Sequence, residues 1–385
     1  MPAEPGASDR RKFLLRSGAA ALAASWRGPA AAAEDGSLEW RNRRPQMAYR
    51  RLGRTGFMIS EIISGGNLIS PDNYRHLVAA FELGLNYFDT AAAYGRGASE
   101  QGYRLALREV GRENVFLNTK VSSWCSNRNR LLGEIFESLP EAEQRKIQSE
   151  AREALEQRRA LDDDYICHYF DGQQRALEAA ALSNAVEKRY GDRIDRPRHY
   201  RDLVVASVDE SLRRLGTDYL DLLMCPHGAS TAAEVRDFPE IFEAYERLKE
   251  QGKVRFLAVS SHSDPASVIE GAVETGVYSA VMAAYNIVNA RYVDVAIQKA
   301  HDADVGVIAM KAARPVHHGR NNGRPNDSRR VAMIDQWLPD PSLGLPQKCY
   351  LWALGDKRIA AVNSEMANLD MVRDNLALAG RATAA

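Results

Sequence analysis

Asn86-Tyr87-Phe88-Asp89-Thr90-Ala91-Ala92-Ala93-Tyr94-Gly95, followed after a helical stretch by Leu117-Asn118-Thr119-Lys120, is the passage on which the fold of this sequence turns. Two short apolar runs, Leu85–Asp89 and Val115–Thr119, read as strands, and each leads straight into a charged residue. Between them Ser99–Val110 carries apolar residues at helical spacing. Strand, helix and strand in that order, with short connections, make a unit of parallel sheet.

The same alternation continues outward on both sides. Upstream, Ile59–Ser64 is followed by the helical stretch Asp72–Leu83. Downstream, a helix near Tyr200–Leu215 precedes Tyr219–Cys225, Phe238–Glu250 leads into Val254–Ser260, and Pro265–Glu274 into Ala280–Ala284. Val293–Ala303 leads into Val305–Met310, Leu345–Leu354 into Ile359–Val362, and Leu369–Leu378 closes the series. Strands this short and apolar are buried on both faces. Eight strand–helix pairs predict a closed (β/α)₈ barrel, an α/β fold. An open doubly wound sheet is the alternative, but Ser64-Gly65-Gly66-Asn67 lacks its glycine fingerprint. Arg50–Phe57 reads as a short hairpin capping the barrel bottom.

Two stretches break the rhythm. Ser122 to about Arg198 replaces a short loop after the third strand with a large helical insertion, in which Glu141–Arg159 is charged and Leu177–Tyr190 amphipathic. Ala312 to about Pro341 is polar and rich in Arg, Asn, Gly and Pro. Both follow the C-terminal end of a strand, the face on which such barrels build their sites. The predicted organisation is an export signal over 1–33, a linker over 34–48 and a barrel over 49–385 that includes the insertion 122–198.

That first segment rests on Asp9-Arg10-Arg11-Lys12-Phe13-Leu14-Leu15, a weakly apolar run from Ser17 to Ser25, and the small residues Ala31-Ala32-Ala33. The order resembles a twin-arginine export signal, and it predicts a partnership with that export machinery and a periplasmic mature protein, with the cytoplasm as the alternative. The apolar run is too short and too alanine-rich to span a membrane.

The 385 residues are 45% apolar, with 51 basic against 51 acidic side chains. A balance of this kind gives no electrostatic reason to expect nucleic acid or an anionic membrane as the main partner. The four cysteines, Cys125, Cys167, Cys225 and Cys349, lie far apart, so no paired metal spacing is present. They read as free thiols, with a disulfide open if the protein is exported.

The chemistry lies at the strand ends. In a barrel, neighbouring strand ends sit side by side, so Asp89, Tyr94 and Lys120 can converge. A phenol has a reference pKa of about 10, a nearby ammonium favours its phenolate, and a carboxylate keeps that ammonium in place. Each residue alone has an ordinary explanation, as helix cap, rim packing or solvated charge. Three together at this spacing predict a tuned general acid.

On these motifs the chain resembles the aldo-keto reductase family from about Tyr49 to Leu378. The matching stretches are Arg51-Leu52-Gly53-Arg54-Thr55-Gly56, Tyr87–Gly95 with Ser99-Glu100, Leu117–Lys120, Ser211–Leu222, Gly252-Lys253-Val254-Arg255 and Tyr285-Asn286. The resemblance implies reduction of small aldehydes or ketones with NADP or NAD, Tyr94 protonating the oxygen while Lys120 and Asp89 tune it. It also implies a carbonyl-orienting histidine after the fourth strand. There the family position is held by Pro226, and His227 comes one residue later. Strand alternation would turn His227 away, unless a bulge at the proline re-aims it.

For the cofactor, the resemblance points to Ser260 and Ser261 at the nicotinamide, where the family has Ser-Asn, and to Met310 and Lys311 after strand seven. Met282 replaces a family glutamine, and Met310, standing where the family has an aromatic stacked on the nicotinamide, can cover that ring by soft contact. At the adenosine end Met366, Asn368, Asp374 and Asn375 match the family segment. Glu365 and Met371 stand where a 2′-phosphate would favour cations, whereas Arg320, Arg324, Arg329 and Arg330 could supply a guanidinium fork for phosphate. A second functional reading is a weakened barrel that binds a partner through its insertion, and the aromatics Trp124, Tyr165, Tyr169 and Phe170 there fit a lid or an oligomer contact.

Overall fold

The computed structural model describes residues 37–319 and 324–381; the segment 1–33 expected to direct export, and Arg320, lie outside them. Three short strands cross the barrel floor, β1 (Glu39–Trp40), β2 (Tyr49–Arg51) and β3 (Phe57–Ser60). β3 pairs parallel with β1 and antiparallel with β2. The expected hairpin is there, but the stretch expected as a linker is not loose, since it supplies β1. The reason is charge: Asp221 is fully buried at the floor, and Arg41 from this stretch reaches it at 3.0 Å.

Above the floor eight parallel strands close a barrel: β4 (Ile62–Gly65), β5 (Tyr87–Asp89), β6 (Phe116–Lys120), β7 (Leu220–Met224), β8 (Val254–Ser261), β9 (Ala280–Ala284), β10 (Gly306–Met310) and β11 (Ile359–Glu365). The sequence predicted one strand over Ile59–Ser64, and the structure divides it between β3 and β4. The corner is Glu61, whose carboxylate accepts from Arg50 Nε at 2.6 Å and from the Gly380 amide at 2.7 Å. Ile59 therefore faces the floor and Ile62 the helix layer.

Inside, Phe57 stacks on Phe116 with centroids 4.3 Å apart, so aromatic rings plug the bottom. Helices α1 (Arg75–Glu82) and α2 (Ala98–Val110) begin the outer ring. The insertion follows β6 as α3 (Trp124–Glu137), α4 (Glu141–Gln157) and α5 (Gln173–Tyr190), and α6 (Leu203–Leu215) resumes the ring. Ile147, Ala151 and Leu155 recur every four residues on α4, a buried stripe facing inward. Glu141 and Glu143 occupy its first turn, where the helix dipole favours negative charge. The ring continues with α7 (Pro239–Glu250), α8 (Pro265–Thr275), α9 (Ala290–Asp302), α10 (Ser328–Trp337), α11 (Leu345–Gly355) and α12 (Leu369–Leu376). Among the described residues no helix is long and apolar enough to cross a membrane. The four cysteines are free thiols.

Candidate active site

β5 and β6 run in register, Asp89 beside Asn118, which leaves Lys120 at the very end of its strand. From there Lys120 Nζ donates to Asp89 Oδ1 at 2.5 Å and to the Thr90 carbonyl at 2.8 Å. Both side chains are buried. Tyr94 arrives on the tight turn after β5, where Gly95, Arg96 and Gly97 all take positive φ. Its ring lies 4.9 Å from the Lys120 ammonium, measured to the centroid. Asp89, Tyr94 and Lys120 thus meet at one end of the barrel.

Their electrostatics differ in one respect from the sequence expectation. Burial lifts the Tyr94 phenol above its ordinary value, and this outweighs the lowering by Lys120. Burial works against the Lys120 ammonium most strongly, but Asp89 and Tyr94 together more than offset it, and Lys120 holds its proton more tightly than usual. The trio is therefore a protonated phenol over a firmly charged ammonium.

His227 does not turn away. β7 ends at Met224, so strict alternation no longer governs residues past Cys225. The imidazole lies edge-on to Tyr94, centroids 5.8 Å apart, and Nδ1 is 2.8 Å from Ser122 Oγ. Burial, with Lys120 and Lys311 adding to it, lowers the His227 pKa to about 3, so the ring is neutral. Ser122 opens the insertion and also accepts from the Ala93 amide at 3.3 Å. Sequence reading missed it, although its place two residues after Lys120 was a signal.

The wall continues past His227. Gly228 N donates to Ser260 Oγ at 3.0 Å, while Ser261 Oγ and His262 Nδ1 are buried with no hydrogen-bond partner. The His262 ring meets Phe170 of the insertion at 5.4 Å, and Lys311 Nζ lies 5.9 Å from the Phe170 centroid. Lys311 itself takes φ 58 at the end of β10. Burial and then Arg314 lower its proton affinity. Met310 is buried in the barrel interior. Lys120, His227, His262, Lys311 and Phe170 thus ring one mouth.

The residues expected at the adenosine end each have a definite place in the fold. Met366 is buried in the core, Asn368 caps α12 by accepting from the Met371 amide at 2.9 Å, and Asn375 Nδ2 donates to Ser364 Oγ at 2.9 Å. Only Asp374 of the expected pair is exposed. The loop arginines are also engaged: Arg324 with Asp171 at 3.3 Å, Arg329 with Asp164 at 2.5 Å and Arg330 with Asp164 at 3.3 Å. Both carboxylates belong to the insertion.

The insertion is fastened to the mouth in several places. Asp264, after β8, accepts from Arg158 Nε at 2.8 Å and from Tyr165 Oη. Tyr169 Oη accepts from Asn286 Nδ2 at 2.9 Å, and Asn184 Nδ2 donates to Thr231 Oγ1 at 3.1 Å. Tyr165 and Tyr169 are buried in these contacts, Trp124 is buried against Tyr200 and Phe238, and Phe170 stays 39% exposed at the rim.

The sequence matches the model of the aldo/keto reductase family over residues 64–188 and 183–340. It is 23% identical over 354 residues to an uncharacterised oxidoreductase of Bacillus subtilis, covering 86% of this chain and 90% of that one. Several relatives described as aldo-keto reductases match over 49% of their own length. Among solved structures, the holo form of an aldo-keto reductase from Bacillus halodurans superposes with a TM-score of 0.57 at 22% identity, covering 86% of this chain and 90% of that one. An aldo-keto reductase from Klebsiella pneumoniae in complex with NADPH gives 0.52 at 18% identity, covering 86% and 89%. Both likenesses concern the fold.

Proposed function

Because the chain belongs to the aldo/keto reductase family, we propose that it reduces the aldehyde or ketone group of a small molecule with a nicotinamide cofactor, Tyr94 acting as proton donor. The observation that carries this reading is the buried Lys120–Asp89 pair beneath the Tyr94 ring, with the neutral His227 ring beside it. The residues at the end of β8 suit a nicotinamide, since Ser261 Oγ and His262 Nδ1 are buried there and lack partners. When bound, the reduced nicotinamide supplies a hydride to the carbonyl carbon.

The protein groups do the rest. Tyr94 keeps its proton until the carbonyl oxygen gains charge, because burial disfavours its phenolate. Once the proton leaves, the Lys120 ammonium stabilises the phenolate, and Asp89 holds that ammonium in place. In the tautomer where the Ser122 hydroxyl donates to Nδ1, His227 carries its proton on Nε2 and can donate to the carbonyl oxygen. Asp374, which is exposed, is available to the cofactor's adenosine end, and a phosphate would have to draw Arg324 or Arg329 from Asp171 and Asp164.

The reading of the chain as a partner-binding barrel is weaker, because Trp124, Tyr165 and Tyr169, three of the four aromatics named for such a contact, are already buried within this chain. Export to the periplasm belongs to the proposal too. It rests on Arg10-Arg11, the run after them and Ala31-Ala32-Ala33. Fractionation of cells carrying Arg10→Lys with Arg11→Lys tests it. For the activity, cofactor fluorescence titration comes first, then stopped-flow reduction of a carbonyl panel. Tyr94→Phe should lower turnover by roughly 10²–10⁴ while cofactor binding persists. Cofactor binding with no turnover above that variant would refute the reading.

A further inference from the structure

The polar layer under the trio contains two amides that the reaction as derived above does not use. Asp89 is buried and takes three donors: Lys120 Nζ and Asn118 Nδ2 on Oδ1, the latter at 2.9 Å, and Asn363 Nδ2 on Oδ2 at 3.0 Å. Asn118 sits on β6 beside Asp89, whereas Asn363 reaches it from β11, 274 residues further along the chain. Its amide also lies 3.4 Å from Met282 Sδ.

These amides are poorly explained as packing. The Oδ1 atoms of both Asn118 and Asn363 are buried without a hydrogen-bond partner. A buried acceptor left in that state costs stability and calls for a reason. Each amide spends its donor end on one carboxylate and leaves its carbonyl end unpaired. Space has been made for this as well. A Cβ at Gly65 would come within 2.6 Å of Asn363 Oδ1, so only the glycine on β4 lets the amide lie where it does.

Resting on the proposed reductase chemistry, we infer that Asn363 is a positioning residue for proton transfer. It anchors the second oxygen of Asp89, so that the carboxylate presents its first oxygen to Lys120 and the ammonium stays under the Tyr94 ring. Without it Oδ2 would have no donor among the described residues, and the carboxylate could rotate toward Asn118 or draw Lys120 out of place. The acid would then be presented to the carbonyl in a mixture of geometries.

The test uses the full chain in steady-state reduction with the best carbonyl from the panel, across pH. Asn363→Leu should lower kcat by about tenfold, a part of the roughly 10²–10⁴ that a positioned general acid supplies. KM for the carbonyl and cofactor binding should hold. The alkaline limb of the kcat profile, where Tyr94 loses its proton, should move to higher pH, because a Lys120 drawn from under the ring no longer lowers the phenol's proton affinity. Gly65→Ala should displace the amide and produce the same change. Asn363→Ser, which keeps a donor that a water molecule can extend, should recover part of kcat. Melting temperature and cofactor fluorescence identify a variant that has simply lost its fold, in which case Asn363→Ser and Gly65→Ala decide. Wild-type kcat and an unmoved alkaline limb in folded Asn363→Leu or Gly65→Ala, with Tyr94→Phe inactive, would overturn the inference. An active Tyr94→Phe would instead remove the reading beneath it, and the inference with it.

Discussion

Removing the Asp264 carboxylate should release the insertion from the barrel while leaving the barrel folded. Asp264 is buried directly before α8 and collects four donors: Arg158 Nε and Nη2 at 2.8 and 3.1 Å, the Ser267 amide at 3.1 Å, and Tyr165 Oη. They contribute unequally. The Ser267 contact is an N-cap, worth about 1 kcal/mol. The Tyr165 hydroxyl is buried and bonds a charged acceptor, worth about 2 kcal/mol. Arg158 is 42% exposed in its side chain, and solvent leaves that pair at about 0.5 kcal/mol.

Asp264→Ala should therefore weaken the local unit by about 3 kcal/mol, and Asp264→Asn, which keeps an acceptor for the cap, by roughly half of that. In the alanine variant Tyr165 Oη keeps one partner, since it still accepts from the Ala266 amide at 3.1 Å. Native-state hydrogen exchange is the assay, because it separates local opening from global unfolding. Protection should fall for amides between 163 and 190 and persist on β5 and β6. If the insertion fences the mouth, KM for the carbonyl should rise as well. A loss below about 1 kcal/mol in the insertion, or an equal loss throughout the barrel, would refute the reasoning.

Four further outcomes follow from the same geometry. His227 stays neutral down to about 3, so kcat/KM should show no limb near the ordinary histidine pKa of about 6.5; such a limb, abolished in His227→Gln, would contradict this. Its folded pKa is depressed, so the unfolded chain binds the extra proton first, and stability should fall as pH drops from about 6.5 toward 3, less steeply in His227→Gln, which acid titration followed by circular dichroism would reveal. Asp221→Asn should destabilise the chain by about 3–5 kcal/mol in urea titration, since Arg41, Arg112 and Arg255 converge on one buried carboxylate; a cost under about 1 kcal/mol would mean the floor relaxes around them. Phe170→Ala should change stability by no more than about 0.5 kcal/mol yet alter KM across a carbonyl panel, and identical KM values would take Phe170 out of the substrate wall.

What could be read from the sequence was whatever has a local signature. Ala280–Ala284 was delimited to the residue because an apolar run bounded by polar neighbours has little other use inside a barrel. Asp89 and Lys120 were legible because charge at the end of an apolar strand breaks its pattern. Contacts made at long range left no such trace. Asp164 meets Arg329 across 165 positions, and nothing in either neighbourhood announces the other. The last strand was expected to end at Val362, since asparagine is a poor strand former, and it runs on to Glu365 because Asn363 has a carboxylate to bond inside the barrel.

The direction of the Tyr94 shift shows how far the local view reaches. From sequence, the visible influence on the phenol was a nearby lysine, and that alone favours the phenolate. The structure adds the surroundings, and burial wins over Lys120. Those surroundings come from distant parts of the chain. His227 arrives after β7, and Ser122, at the start of the insertion, holds its ring. The same enclosure keeps His227 neutral and Lys120 charged, because Lys120 has Asp89 and His227 has no carboxylate among its charged neighbours. A neutral imidazole and a protonated phenol can both donate to a carbonyl oxygen, and neither carries a charge that the substrate must first displace. The residues of the trio were named by their order along the chain, but the protonation states in which they work are set by what the fold places around them.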